Sequence, residues 1–242
     1  MKETVFVADV HLGLKAGDPA ERERRFVRFL KGLDAERVEA LYLLGDIWDF
    51  WYEYRDVIPR EGIRVVAQLI RLLDEGVKVY FFPGNHDVWC YSFFEQLGIR
   101  KLEQPWRTEI GGARFCLGHG DGLGGASLGY RILLWVFHNR TLQRLFSALH
   151  PTLAFRFGTD WSNSNRRAHG EYHFRGADEP LYRFALKEDG RERADYFIFG
   201  HYHDAVDERL PSGGRLIVLK DWISGSCPHA VFDGETLSVR SS

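Results

Sequence analysis

In Val77-Lys78-Val79-Tyr80-Phe81-Phe82-Pro83-Gly84-Asn85-His86-Asp87 an apolar, β-favouring run gives way, without a spacer, to a turn and three polar side chains. The run predicts a strand over Val77 to Phe82. Pro83 and Gly84 end it, so Asn85, His86 and Asp87 stand at its carboxyl end. Upstream, a helix over about Ile63 to Leu73 stops near Gly76, and a strand over Ala40 to Leu44 ends at Gly45-Asp46, with Asp49 three residues on. Further back, Asp18 as N-cap, Pro19 in the first turn and Glu21 open a helix whose apolar face is Phe26, Phe29, Leu30 and Leu33. The first strand, Thr4 to Ala8, ends at Asp9-Val10-His11. Strand and helix therefore alternate, which predicts an α/β sheet of parallel strands with its ligand crevice at the carboxyl ends.

Downstream the rhythm changes. Trp106 to Ile110 and Arg114 to Leu117 flank Gly111-Gly112 as a hairpin and lead into Gly118-His119-Gly120-Asp121. Residues 122–194 lack strands: one helix is predicted over Arg131 to Leu149 and another over Leu181 to Leu186. Strands resume at Tyr196 to Phe199, which ends at Gly200-His201-Tyr202-His203, and continue at Leu216 to Leu219 and Ala230 to Phe232. With no repeat or flexible linker, the expectation is one domain over 1–242 carrying a mostly helical insertion over 122–194.

Composition narrows the function. The formal net charge of −2 speaks against a dedicated nucleic-acid binder, and three cysteines without metal-type spacing speak against a disulfide framework. No run of about 18 apolar residues predicts a membrane span, and no signal peptide is visible, so a reducing, cytoplasmic location is expected.

Five polar clusters stand at strand ends: Asp9 with His11, Asp46 with Asp49, Asn85 with His86 and Asp87, His119 with Asp121, and His201 with His203. Any one alone is an ordinary turn. Together they supply carboxylate, imidazole and amide without thiolate, a set suited to Mn²⁺, Fe or Zn²⁺ rather than Ca²⁺. Seven candidate ligands exceed what one ion that keeps an open position accepts from protein, which points to two divalent ions sharing a carboxylate.

The ordered set Asp9-x-His11, Gly45-Asp46-x-x-Asp49, Gly84-Asn85-His86-Asp87, Gly118-His119 and Gly200-His201-x-His203 resembles the signature of the calcineurin-like metallophosphoesterases. The resemblance implies a four-layer αββα sandwich, classed α/β or α+β, with a helical lid insertion. It implies that Asp9, His11, Asp46 and His203 hold one metal, and that Asp46, Asn85, His119 and His201 hold the other. His86 is then expected to assist the leaving oxygen as a catalytic residue, with Asp87 orienting it or capping the turn.

The insertion bears on the substrate. Tyr130 to Arg175 holds seven arginines and no lysine, interleaved with aromatic residues, which suits phosphate or pyrophosphate beside something apolar. Trp48, Phe50, Trp51, Tyr52 and Tyr54 could line a pocket or cover a sheet edge. The stretch from His119-Gly120-Asp121 through Gly129-Tyr130, Phe137-His138 and Leu142-Gln143 to Trp161-Ser162-Asn163-Ser164-Asn165-Arg166 is similar to the UDP-2,3-diacylglucosamine pyrophosphatases of lipid A synthesis. That similarity implies hydrolysis to UMP and 2,3-diacylglucosamine 1-phosphate, typically with Mn²⁺, at the cytoplasmic face of the inner membrane. It implies substrate contacts at Tyr130, Ser162, Asn165 and Arg166, peripheral membrane contact, and no nucleic-acid or obligate protein partner. One departure stands out: the best-known members carry Arg where this chain has His86. The alternatives are a broad phosphodiesterase or nucleotide phosphatase of the same fold, a nuclease, and a non-catalytic metal-binding scaffold.

Overall fold

The computed structural model describes residues 2–168 and 173–241, with side chains described outside 163–172. The first sheet contains β1 (Glu3–Val7), β2 (Val38–Leu43), β3 (Lys78–Phe81) and the short β4 (Arg100–Lys101), all parallel. The second contains β5 (Trp106–Ile110), β6 (Ala113–Leu117), β7 (Tyr196–Phe199), β8 (Val206–Arg209) and β9 (Arg215–Val218) in the order β5-β6-β7-β9-β8. The chain then returns to the first sheet through β10 (His229–Phe232) and β11 (Leu237–Arg240), which complete the order β11-β10-β1-β2-β3-β4. The central strands β6, β7 and β9 are parallel, and β5 and β8 run antiparallel at the edges.

Period-two burial creates the layers. Phe6 and Ala8 face the second sheet, where they meet Phe115, Leu117, Ile198 and Ile217. Val5 and Val7 face the other way and pack with Phe26 and Leu30 of α1 (Pro19–Gly32) and with Val65, Val66 and Leu69 of α2 (Ile63–Asp74). On the far side Phe197 and Phe199 pack outward while Ile198 points inward. Strands buried on both faces need apolar residues at successive positions, so their sequences read as unbroken runs. The result is helix, sheet, sheet, helix, as expected of a four-layer sandwich. Asp18 caps α1 by accepting the backbone N–H of Glu21 at 3.0 Å, with Pro19 in its first turn.

Among the described residues between β6 and β7 there are helices and turns but no strand. After a single turn α3 (Phe93–Gln96) earlier in the chain, this segment carries α4 (Leu128–His138), α5 (Arg140–Ser147), α6 (Pro151–Ala168) and α7 (Pro180–Arg191). The one helix predicted over Arg131 to Leu149 is corrected to two. Asn139 adopts an extended backbone, and its side chain accepts the N–H groups of Thr141 and Leu142 and so starts α5 afresh. α7 belongs to the outer layer, with Leu181 and Ala185 packed on Phe197 and Phe199.

The aromatic run after β2 divides. Trp48 and Trp51 are fully buried in the first core cluster. The hydroxyls of Tyr52 and Tyr54 donate to the carbonyls of Gln143 and Leu149, and Phe50 meets Phe146 and Phe155, so these three anchor the helical segment.

Phe6 is fully buried between Tyr42 in its own sheet and Phe115 in the other, at ring separations of 5.3 and 5.7 Å. Phe6→Ala is expected to lower unfolding free energy by about 3–5 kcal/mol in urea denaturation. A loss under about 1 kcal/mol would contradict a shared inter-sheet core.

Candidate metal centre

The five clusters meet at one end of the sandwich because both sheets present the carboxyl ends of their parallel strands there. Asp9 and His11 follow β1, Asp46 follows β2, Asn85 and His86 follow β3, His119 follows β6, and His201 and His203 follow β7. The backbone is bent to bring them in. Asp9, His11, Asp46, His201 and His203 have φ between 50° and 73°, and they are all the non-glycine residues with positive φ among those described. Each costs on the order of 1–3 kcal/mol, strain of the kind kept where a site demands it. Space is made by Gly84 and Gly200: a Cβ on Gly84 would overlap the carboxylate of Asp46, and one on Gly200 that of Asp9.

Three overlapping groups have ligand atoms within 4.8 Å of one another: Asp9, His11 and His203; His11, Asp46 and His86; and Asp9, Asp46 and His119. Asp9, His11 and Asp46 each belong to two of them, so the groups form one connected cluster. Asp46 Oδ2 lies 3.3 Å from His119 Nε2 and 3.9 Å from His11 Nε2. Asn85 Oδ1 lies 3.3 Å from His119 Nε2. His201 is placed beside the groups: its ring centre is 5.1 Å from that of His119, and its backbone N–H donates to Asp9 Oδ2 at 2.9 Å.

Two observations fit these residues to divalent cations. Asp9 Oδ1 is buried without a hydrogen-bond partner among the described residues, yet it stands 3.7 Å from both His11 Nε2 and His203 Nε2. That is too long for a hydrogen bond and near the roughly 3–3.5 Å separating ligands that share one ion at about 2.1 Å. The second observation is the ring orientation. His119 Nδ1 donates to the Leu44 carbonyl at 2.9 Å and His86 Nδ1 to the Asp49 carbonyl at 2.8 Å. His11 Nδ1 and His203 Nδ1 pair with the carboxylates of Asp49 at 3.2 Å and Asp221 at 2.9 Å. When Nδ1 carries the only ring hydrogen, Nε2 of His11, His119 and His203 offers its lone pair to a cation.

The electrostatics of the metal-free protein agree. Burial, opposed by His203 and His119, pushes the Asp9 carboxyl up to about 6. Burial also opposes ionisation of Asp46, but the imidazoles of His119, His86 and His11 outweigh it and hold that carboxyl well below its ordinary range. Burial and the neighbouring His119 push His201 down to about 3, keeping the ring neutral.

The contacts bear on several of the expected roles. Of the two roles open to Asp87, its contacts are those of a turn cap: its carboxylate accepts the backbone N–H groups of Gly84, Asp46, Ile47 and Trp48 and so pins the β2 and β3 turns together. Burial and the charge on Asp46 push it up to about 7. Ser162, expected to touch substrate, is buried and donates to Asp49 Oδ1 at 2.9 Å. Tyr130 donates to Asp121 Oδ2 at 3.4 Å, with its ring 6.3 Å from that of His201. The side chains of Asn165 and Arg166 lie outside the described residues. Asp221, not anticipated, holds His203; its only sequence signal is its place just after the end of β9, at the same end of the sheet.

Gly84→Ala forces the Asp46 carboxylate to move and is expected to weaken divalent-ion binding at least about tenfold in calorimetry while the chain stays folded. Unchanged affinity would break the link between Gly84 and Asp46. Binding must also displace protons from Asp9, at about 6, and from His119, whose burial is outweighed by Asp46 so that its imidazole is held above the ordinary range. The thermal stabilisation given by Mn²⁺ is therefore expected to grow as pH rises from about 5 to 7.5, and a pH-independent gain would contradict these ligands.

Comparison with known proteins agrees with this geometry. A relative from Porphyromonas gingivalis, named UDP-2,3-diacylglucosamine hydrolase, is 34% identical over 253 residues, covering 98% of this chain and 96% of its own. Proteins of the same name from Klebsiella pneumoniae and Neisseria meningitidis serogroup B are each 29% identical. The first alignment covers 91% of both chains, and the second 97% of this chain and 96% of the relative. Residues 3–205, the stretch containing all five clusters, fit the Calcineurin-like phosphoesterase model, and the chain belongs to that family of metal-dependent hydrolases.

Proposed function

We propose that this chain hydrolyses the pyrophosphate of UDP-2,3-diacylglucosamine, releasing UMP and 2,3-diacylglucosamine 1-phosphate, with two Mn²⁺ ions. The observation that carries the reading is the end-to-end match to a relative named for hydrolysing that compound. Asp9, His11, Asp46 and His203 would hold one ion, and Asp46, Asn85, His119 and His201 the other. Ions bound there supply an activated water and neutralise charge on the phosphoryl oxygens.

The chain's own residues do the rest. In the net reaction a water oxygen bonds to the α-phosphorus, the bond to the bridging oxygen breaks, and that oxygen leaves with the sugar phosphate. His86, its Nδ1 held by the Asp49 carbonyl, belongs to the cluster and would pass a proton to the leaving oxygen. Asp49 steadies His11, and Asp221 steadies His203. Within one domain over 1–242, α4 to α6 of the 122–194 stretch act as a lid. Trp161 lies 6.4 Å from the His86 ring and 5.4 Å from Phe137, an apolar wall suited to acyl chains. Tyr130, Asn165 and Arg166 would contact the sugar and phosphates.

Exposed apolar residues support peripheral contact with a membrane. Leu128, Ile132, Trp135, Leu145, Leu153 and Phe157, all on α4 to α6, are more than half exposed. No helix among the described residues is long and apolar enough to cross a bilayer.

His86 in place of Arg favours one second reading, a phosphodiesterase of broader range. Incubation of the Mn²⁺-loaded chain with UDP-2,3-diacylglucosamine is expected to yield UMP, and Asp46→Asn or His203→Ala to cut the rate more than about a hundredfold. Turnover of bis(p-nitrophenyl) phosphate without UMP release selects the second reading; full activity in either variant refutes the site.

A further inference from the structure

A cavity of about 660 Å³ lies between α5 and the loops that follow β2 and β3, and none of the candidate metal residues lines it. From α5 it is lined by Arg140, Gln143, Arg144 and Ser147, whose i, i+3, i+4, i+7 spacing makes one helix face. Arg55 adds positive charge from the opposite loop, and His138 an imidazole from the end of α4. The one acid on the wall, Glu53, is already engaged: its carboxylate accepts the backbone N–H groups of Tyr91, Ser92 and Phe93.

The charge has no counterpart in the fold. Arg156 and Arg175 of the same segment pair with Asp160 and Glu179, whereas Arg55, Arg140 and Arg144 have no ion-pair partner among the described residues. Within α5 the charge placement is unfavourable. Arg140 opens α5, at the positive end of the helix dipole, and repels Arg144 one turn on. Such a cost is kept where an anion repays it. The remaining wall is apolar: the hydroxyls of Tyr52 and Tyr54 are spent on the carbonyls of Gln143 and Leu149, which leaves ring surface, together with Tyr91 and Val88.

We propose that this cavity is a second binding site, separate from the metal centre, for a phosphate ester carried on an apolar body. The phosphate engages the forked guanidinium groups of Arg140 and Arg144, and the body lies against Tyr52, Tyr91 and Val88. Such an ester comes from a lipid headgroup or from a soluble aryl phosphate. The site is independent of the reaction proposed above.

Calorimetric titration of the Mn²⁺-loaded chain with phenyl phosphate is expected to show two classes of site, one at the metals and one weakened about tenfold or more in the double variant Arg140→Gln, Arg144→Gln. Wild-type hydrolysis of bis(p-nitrophenyl) phosphate by that variant verifies its fold and its metal centre. Sedimentation with phosphatidylglycerol vesicles, against phosphatidylcholine vesicles, assigns the source. Anionic-vesicle binding that is lost in the variant identifies a lipid headgroup, and a calorimetric loss without vesicle binding identifies a soluble ester. Identical isotherms and identical sedimentation for the two proteins overturn the proposal.

Discussion

Buried charge at the meeting point of two sheets is the constraint around which this molecule is organised. Asp9, His11, Asp46, Asp49, Asp87 and His119 are all buried within one small volume, and five cluster residues hold the left-handed backbone conformation. An isolated buried carboxylate costs several kcal/mol, and the strained residues add about 1–3 kcal/mol each. The interior tolerates this because each group is tied to the backbone or to a partner. The Asp87 carboxylate takes four amide hydrogens, and Nδ1 of His11, His86, His119 and His203 each faces an oxygen acceptor. What stays open is a set of lone pairs facing one another, a repulsive arrangement that a cation relieves.

The aliphatic core gives that arrangement its rigidity. Because β1, β2, β6, β7 and β9 are covered on both faces, their ends cannot drift without disturbing packing in two layers at once. A site built from short turns on such strands is therefore as well positioned as one built on the strands themselves. α4 to α6, by contrast, rest on a narrower set of contacts through Phe50, Tyr52, Tyr54 and Trp89. Much of their apolar surface faces outward.

The central strands were legible from sequence because double-sided burial writes itself as continuous apolar runs, and the motif clusters because they sit where those runs stop. The edges were not. β8, Val-Asp-Glu-Arg, buries only Val206, and β4 has two residues, so neither carries a periodic signal. α4 and α5 looked like one helix because apolar residues continue through Asn139, whose capping bond is local and polar. Asp221 was invisible as a partner of His203 because the two are joined by strand order, not by proximity in the chain. The role of Asp87 turned on where its carboxylate points, and only the folded turn decides that.

The hydrogen bond from Ser162 to Asp49 joins α6 to the group that holds His11. Lifting α6 withdraws one donor from Asp49, and a change in charge around His11 alters how strongly Asp49 accepts from Ser162. Such coupling is reciprocal: whatever favours the seated helix favours the ordered imidazole by the same free energy, and the converse holds. The helix that contributes Ser162 and the imidazole of His11 are thus linked through a single shared carboxylate.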